Sequence, residues 1–170
     1  MSGIDEEKLA ALRSLNEFNQ RKLLALIVGL RQGCEVYPER GLADVVRRLG
    51  LQRSGRLVAR SADWLRKYKE AKAKMKSAEP RKLLQLVDDE EARRIAAKSA
   101  HVRKAVADYL LSRFLGHPIC CIRNYLAGGE HVDMPFVPWR AHASDCKESR
   151  AFSEAMRKAC KQAGIAGGEA

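Results

Sequence analysis

Apolar residues recur at intervals of three and four along most of this chain, and glycines and prolines separate the stretches that carry the pattern. That spacing places apolar side chains on one face of an α-helix, whereas no segment shows the two-residue alternation of a half-buried β-strand. Glycine commonly ends a helix and proline commonly begins or interrupts one, so the separations predict about six to seven helices. We therefore predict an all-α fold, a compact helical domain with one irregular loop near residues 130–144 that is rich in proline and aromatic residues.

Length and composition narrow the class of protein further. A chain of 170 residues can bury an ordinary hydrophobic core, and a hydrophobic content of 46% excludes an intrinsically disordered chain. The longest apolar run, Leu23 to Leu30, is too short to cross a bilayer, so we expect no membrane association. The N-terminus lacks the features of a secretory signal, and an odd number of cysteines, five, argues against a disulfide framework. We therefore expect a reducing compartment, the cytoplasm, or the nucleus if the source is eukaryotic.

The predicted helices divide the chain into three parts. Residues 1–127 form a helical domain that contains a basic segment, 38–77. Residues 128–163 form a loop followed by a C-terminal helix, and residues 164–170 form a flexible tail.

Residues that cap or open helices set the expected boundaries. Pro38 opens a helix that ends near residue 49, and Ser54 caps a long helix that ends near residue 77. Asp88 caps a helix that continues to about residue 115. The acidic run 88–91 is therefore interpreted as a helix start, where carboxylates interact favourably with the helix dipole, and not as an active site.

Positive charge is concentrated in one part of the chain. The formal net charge is +11, and the segment from Arg47 to Lys76 holds eleven basic and two acidic residues. Lys and Arg bind phosphates with a salt-dependent affinity, although a basic helix can also be simply a solvated face. We predict a nucleic-acid interface made of basic residues and one helix-capping serine: Arg47, Arg48, Arg53, Ser54, Arg56, Arg60, Arg66, Lys67, Lys69, Lys72, Lys74 and Lys76.

Residues 41–65 of this segment resemble a helix-turn-helix DNA-binding unit. In that resemblance Val46 is the small residue of the first helix, Gly50 makes the turn and Leu57 anchors the recognition helix. The stretch from Leu49 to Arg60 is also similar to the two-helix SAP domain. Both resemblances imply binding to DNA.

The predicted function is a nucleic-acid-binding protein, specifically a DNA-binding regulator of transcription or replication. Trp64 and Tyr68 lie on the predicted core stripe, so the basic segment lacks aromatic residues for stacking on bases, which favours a duplex over a single strand. We expect DNA as the partner in preference to RNA, and a homodimer, because two-fold pairing doubles the contact area. The alternative is a helical adaptor or assembly subunit that binds an acidic partner.

The C-terminal third contains four of the five cysteines and three of the four histidines. His117 and Cys120 form one close pair and His142 and Cys146 form another, on either side of the proline-rich stretch. Zinc prefers thiolate and imidazole ligands supplied in such pairs. His117, Cys120, His142 and Cys146 are therefore a candidate structural zinc site, with Cys121 and His131 as spare ligands. The alternative for Cys121 and Cys160 is that they are simply small buried apolar residues.

No nucleotide-binding, zinc-protease or CxxC motif occurs in the chain. A catalytic pair of Cys120 or Cys121 with His117 lacks an orienting third group, so we expect the protein not to be an enzyme. The stretch 130–140 contains two aromatic residues and two prolines and is interpreted as a loop packed over the core. If exposed, it would be a docking surface for a protein partner.

Overall fold

The computed structural model describes residues 4–165. The chain is mostly helical, with 59% helix, and this confirms the predicted helical class. Within the described residues there are nine α-helices and one small three-stranded sheet, so the all-α assignment is corrected by that sheet. No helix in the described part of the chain is both long and apolar enough to cross a membrane.

The described residues fall into two compact units. The first unit contains the residues up to Leu65 together with those from Ala151 onward, and the second contains Arg66–Arg150. The predicted boundary after residue 127 lies inside the second unit. Of the predicted C-terminal tail, Gly164 and Ile165 are described, and Ile165 is buried. The remaining tail residues lie outside the described part of the chain.

The first unit opens with two capped helices. The side chain of Asp5 accepts a hydrogen bond from the backbone N–H of Lys8, and the side chain of Asn16 accepts one from the N–H of Asn19. Each cap satisfies an amide that has no partner inside its own helix. The helices of this unit are α1 (Glu6–Arg13), α2 (Glu17–Ile27) and α3 (Leu42–Arg48). The third is shorter than predicted because Gly41, at φ +81°, breaks the helix that Pro38 was expected to open.

The sheet stands where the sequence predicted the start of a long helix. Its antiparallel strands are β1 (Gly33–Glu35), β2 (Gln52–Ser54) and β3 (Leu57–Ala59), in the order β1-β3-β2. Ser54 lies in β2 and does not cap a helix, and Gly55 makes the hairpin turn at φ +61°. The predicted helix start at Ser54 is therefore wrong, because α4 (Ala62–Ser77) begins eight residues later. Strands of three residues are too short to show a two-residue alternation, so the sequence pattern missed them.

The core of the first unit is built mainly from leucines of α1 and α2. Leu12, Leu23 and Leu24 are completely buried, and Val58 of β3 is buried with no exposed surface. Asn19 is also fully buried, and its side chain accepts from the backbone N–H of Tyr37 and donates to the carbonyl of the same residue. Because these bonds satisfy a buried amide, they fix the chain that follows β1 against α2.

The second unit is a set of packed helices. They are the main part of α4, followed by α5 (Pro80–Leu83), a 3-10 turn (Leu84–Leu86), α6 (Glu90–Lys98), α7 (Val102–Phe114), α8 (Ile119–Leu126) and the start of α9 (Lys147–Ala163). Their core contains Leu83, Val87, Val106, Tyr109 and Ile122, each at most 2% exposed.

The predicted helix from Asp88 to about residue 115 is two helices. Ser99 has extended backbone angles (φ −69°, ψ 136°), so α6 ends there and α7 begins three residues later. The cap of α6 is Asp89, whose carboxylate accepts from the N–H of Ala92 at 2.8 Å. The interpretation of the acidic run as a helix start is confirmed, with the cap displaced by one residue.

Candidate metal centre and basic surfaces

The irregular segment between α8 and α9 folds back on itself. Val132 and Ala141 form an isolated antiparallel bridge, with N–H to carbonyl distances of 2.8 and 3.0 Å. The bridge brings the two ends of the proline-rich stretch together, and Phe136 at its middle adopts a positive φ of 63°. Ala141 is completely buried, so His142 directly follows a fixed point of the backbone. The loop predicted at 130–144 is therefore confirmed: the segment contains no helix, and its regular structure is this single bridge.

Four candidate metal ligands meet beside this segment. Cys120 and Cys121 lie in the first turn of α8, Cys146 directly precedes α9, and His142 follows the bridge. Their ligand atoms all lie within 4.8 Å of one another. Three of these residues, Cys120, His142 and Cys146, belong to the predicted zinc set.

Three distances within the group match those around a tetrahedral metal ion, and the Sγ atoms of Cys120 and Cys121 lie farther apart, at 4.0 Å. The Sγ atom of Cys121 lies 3.5 Å from Nδ1 of His142 and 3.7 Å from Sγ of Cys146, and the Sγ atom of Cys120 lies 3.8 Å from that of Cys146. Bond lengths of about 2.3 Å for Zn–S and about 2.0 Å for Zn–N place tetrahedral ligand atoms roughly 3.5 to 3.8 Å apart. The residues present therefore fit one Zn²⁺ with three sulfur ligands and one nitrogen ligand.

Burial opposes the ionisation of all three thiols. Burial, followed by repulsion from the neighbouring Cys121, raises the pKa of Cys120 to about 12. Burial also raises the pKa of Cys121. Burial opposes ionisation of Cys146 as well, but hydrogen bonds from Ser149 hold its pKa below the usual value. Because thiolates this close repel one another, a bound metal ion would compensate their charge and allow all three to ionise.

Polar side chains around the cluster hold the ligands in place. Ser149 is completely buried; its Oγ accepts from Nε1 of Trp139 at 3.0 Å and lies 3.6 Å from Sγ of Cys121. A carboxylate oxygen of Glu148 lies 3.7 Å from the sulfurs of Cys120 and Cys146. Such surrounding hydrogen bonds orient metal ligands in proteins.

One predicted zinc ligand is wrong. His117 does not belong to the cluster; its ring packs against Trp139, with the ring centroids 5.3 Å apart. His117 precedes the first helical turn of α8, which instead directs Cys121, predicted only as a spare ligand, into the cluster. The second spare ligand, His131, also lies outside the cluster, with its ring 5.9 Å from that of Tyr125.

A pocket of about 240 Å³ adjoins the cluster, and Cys121 forms part of its wall together with His117, Trp139 and Arg140. Four protein ligands would complete a tetrahedral zinc ion and leave no position for a water or a substrate. A metal ion held by these four residues would therefore have the closed coordination of a structural site.

The predicted nucleic-acid interface is divided between the two units. Arg47, Arg48, Arg53, Arg56 and Arg60 lie in the first unit and are all exposed. Six further basic residues lie on α4 in the second unit and are also exposed: Arg66, Lys67, Lys69, Lys72, Lys74 and Lys76.

Carboxylates compensate only part of this charge. Asp44 pairs with both Arg47 and Arg48, and Glu70 pairs with Arg66 at 2.8 Å. Among residues 4–165, no ion pair involves the hairpin arginines, which we define as Arg53, Arg56 and Arg60. The same holds, within the described chain, for the α4 lysines, which we define as Lys69, Lys72, Lys74 and Lys76.

Of the two aromatic residues of α4, Tyr68 packs in the protein interior, as predicted, and Trp64 is half-buried. Tyr68 is buried and contacts Phe114 edge to face, with centroids 5.4 Å apart. Trp64 lies directly over Gly33. Neither ring is therefore an exposed stacking surface.

Comparison of the chain with protein-family models, with curated proteins and with solved structures finds no match. The fold and the site themselves thus define the class: a mostly helical protein with a three-cysteine, one-histidine cluster that could hold a metal ion.

Proposed function

We propose that this chain is a zinc-stabilised nucleic-acid-binding protein. In this proposal Cys120, Cys121, His142 and Cys146 bind one structural Zn²⁺, and the exposed hairpin arginines and α4 lysines contact phosphates. The nucleic acid is DNA in preference to RNA, and the role is regulation of transcription or replication in the cytoplasm, or in a nucleus.

The observation that supports the metal part of the proposal is the convergence of four ligand atoms within 4.8 Å. Three of them come from residues on α8 and at the start of α9, and His142 comes from the irregular segment between these helices. A zinc ion would therefore hold that segment, which has a single backbone bridge, against α8.

Metal analysis tests the zinc site. The protein, purified without added metal and dialysed, should contain one zinc per chain. Replacement of zinc by Co²⁺ should give the intense visible absorption of a tetrahedral, thiolate-rich site. Protein that binds neither metal while it remains folded would contradict the zinc site.

The observation that supports nucleic-acid binding is the exposed positive charge without carboxylate partners in the described chain. Each phosphate contact by Lys or Arg releases condensed counterions, which makes the affinity fall steeply as salt rises. A basic face that is merely solvated binds no phosphate and would therefore show no salt-dependent binding of nucleic acid.

Binding of a labelled DNA duplex, measured by fluorescence anisotropy across a salt series, tests this part. We expect the logarithm of the association constant to fall linearly with the logarithm of salt concentration, with a slope of about −0.9 for each phosphate contacted. A duplex RNA of the same sequence should bind more weakly. Absence of binding to any nucleic acid at low salt would contradict the proposal.

An acidic protein partner is the second candidate, and the same unpaired α4 lysines favour it. A helical adaptor would co-purify with a stoichiometric protein after nuclease treatment and would not respond to nucleic acid. The stretch 130–140 is proposed as its second contact.

Sedimentation analysis of the purified protein tests the homodimer that a two-fold DNA site would require.

A further inference from the structure

Two aromatic rings lie side by side on the surface of the first unit. Phe18 of α2 is 46% exposed, and Tyr37, which follows β1, is 50% exposed. Their centroids are 4.8 Å apart, and their planes are inclined at 52°. On α4 Tyr68 is buried and Trp64 is half-buried against Gly33, so this exposed pair is the aromatic surface that the basic segment itself lacks.

Two cations lie against these rings. The Nζ atom of Lys22 is 3.9 Å from the centroid of Phe18 and 5.2 Å from that of Tyr37. The guanidinium carbon of Arg56, a hairpin arginine, is 5.4 Å from the centroid of Tyr37. We call these four residues the aromatic–cationic patch.

Hydrogen bonds to buried groups hold the patch in a fixed conformation. Asn19 binds both backbone groups of Tyr37, and Nζ of Lys22 donates to the carbonyl of Glu35 at 2.7 Å. The carbonyl of Arg56 accepts from the N–H of Val36 at 2.8 Å, which ties the hairpin to the end of β1. Because these groups are already ordered, a ligand that binds them loses little conformational entropy on their account.

Acidic residues also lie near the patch. Glu17 pairs with Arg21 along α2. Glu39 accepts hydrogen bonds from the side chains of Asn16 and Asn19, which carry no charge, and Glu35 is exposed. The patch therefore combines two exposed rings with two cations, Lys22 and Arg56, that lie against them.

We propose that the aromatic–cationic patch binds single-stranded nucleic acid, with bases stacking on Phe18 and Tyr37 and phosphates contacting Lys22 and Arg56. Every base has a π-face, so stacking is tolerant of sequence, and flanking cations bind the backbone of the strand. An apolar protein segment would instead require a contiguous apolar surface, whereas charged side chains flank these two rings. The inference rests on the proposed nucleic-acid binding and assigns to it a preference for unpaired bases, whereas the sequence alone favoured a duplex.

The test separates stacking from phosphate binding. A labelled 15-nucleotide thymidine strand, an abasic strand of the same length and a DNA duplex are titrated with the full-length protein. The wild-type protein should bind the thymidine strand more tightly than the abasic one. The double variant Phe18→Leu, Tyr37→Leu keeps apolar volume but has no ring faces, and it should lose about tenfold or more in affinity for the thymidine strand while its affinity for the abasic strand is unchanged.

Two control variants complete the experiment. Tyr37→Phe keeps the ring and should bind as the wild type does. Tyr125→Ala removes a tyrosine of similar exposure in the second unit and should have no effect on the thymidine strand. Circular dichroism and thermal unfolding establish that each variant is folded. A further variant, Arg56→Ala, keeps both rings and should reduce the salt dependence of binding to either strand.

The outcomes distinguish the two proposals. Equal affinity of the wild type for the thymidine and abasic strands, or no loss in the leucine double variant, overturns the stacking site and leaves electrostatic binding intact. No binding to any strand or duplex at low salt overturns nucleic-acid binding itself. A protein partner that the wild type retains after nuclease treatment and the double variant loses would assign the patch to protein binding and overturn the stacking site.

Discussion

Arg123 of α8 forms two parallel hydrogen bonds with Asp89, the residue that caps α6. Its Nε atom donates to Oδ1 at 2.9 Å, and its NH2 group donates to Oδ2 at 2.5 Å. The same carboxylate accepts from the backbone N–H of Ala92. One side chain therefore both starts a helix and joins it to the helix that carries two of the candidate metal ligands.

Removal of this carboxylate should destabilise the second unit. Asp89→Ala loses the cap and the paired hydrogen bonds together, and we expect a loss of about 2 kcal/mol in the free energy of unfolding. Asp89→Asn keeps a capping oxygen and should cost about half as much. Urea unfolding measures both. Glu70→Gln, which breaks an exposed pair on α4, is the matched control and should cost less than about 0.5 kcal/mol.

The contribution of Asp89 to the free energy of unfolding should decrease as the pH falls. Hydrogen bonds from Arg123, against the opposing effect of burial, hold the pKa of Asp89 below its usual value of 3.8. A carboxyl group with a lowered pKa in the folded state stabilises the protein above the pKa of the unfolded chain, and that stability is lost as pH falls through the folded pKa. The difference in unfolding free energy between the wild type and Asp89→Asn should therefore be constant near neutral pH and shrink below about pH 4. A difference that grows on acidification would contradict this assignment.

The metal cluster predicts that zinc binding requires His142 and does not require His117. His142→Ala removes a candidate ligand and should lower the zinc content after dialysis, whereas His117→Ala changes a residue outside the cluster, packed against Trp139, and should retain one zinc per chain. Cys121→Ser should behave like His142→Ala, and Cys160→Ser, which changes a buried cysteine of the first unit, is its control. Zinc is measured by elemental analysis. Loss of zinc from His117→Ala with retention in Cys121→Ser would restore the ligand set expected from the sequence.

The two groups of unpaired cations can be tested separately. In one variant Gln replaces the three hairpin arginines, and in the other it replaces the four α4 lysines. Each variant should bind a duplex more weakly than the wild type. The magnitude of the salt slope should fall by about one for every phosphate that the variant no longer binds. Both variants are compared in the anisotropy assay. Arg94→Gln is the control, since Arg94 lies on α6, outside the predicted interface, and pairs with Glu90. An unchanged slope in one variant would remove that group from the interface.

Gly33 of β1 leaves room for the ring of Trp64. A Cβ atom at this position would lie 2.3 Å from the tip of the indole, so Gly33→Ala should cost about 1–3 kcal/mol of stability through overpacking. Trp64→Leu in the same chain should recover part of that loss, because the smaller side chain makes room for the methyl group. A double-mutant cycle measures the coupling, and additive losses would show that the two residues do not interact.

The helices and most of the candidate metal ligands could be predicted from the sequence because both depend on local spacing. Apolar residues three and four apart form helical faces wherever the chain folds, and the prediction of a zinc site at Cys120, His142 and Cys146 needed only that ligands occur in close pairs. The buried position of Tyr68 followed from the same periodicity.

The remaining features depend on contacts between distant residues. The hairpin of β2 and β3 forms because β3 pairs with β1, more than twenty residues earlier, and strands of three residues carry no pattern of their own. The choice of Cys121 over His117 depends on where the first turn of α8 begins relative to the segment that contains His142 and Cys146. The exposure of Phe18 and Tyr37 beside Lys22 and Arg56 likewise arises from residues of α2, β1 and the hairpin that are separated along the chain. Local spacing therefore determined the helices and the type of metal ligand, whereas long-range packing decided which side chains meet.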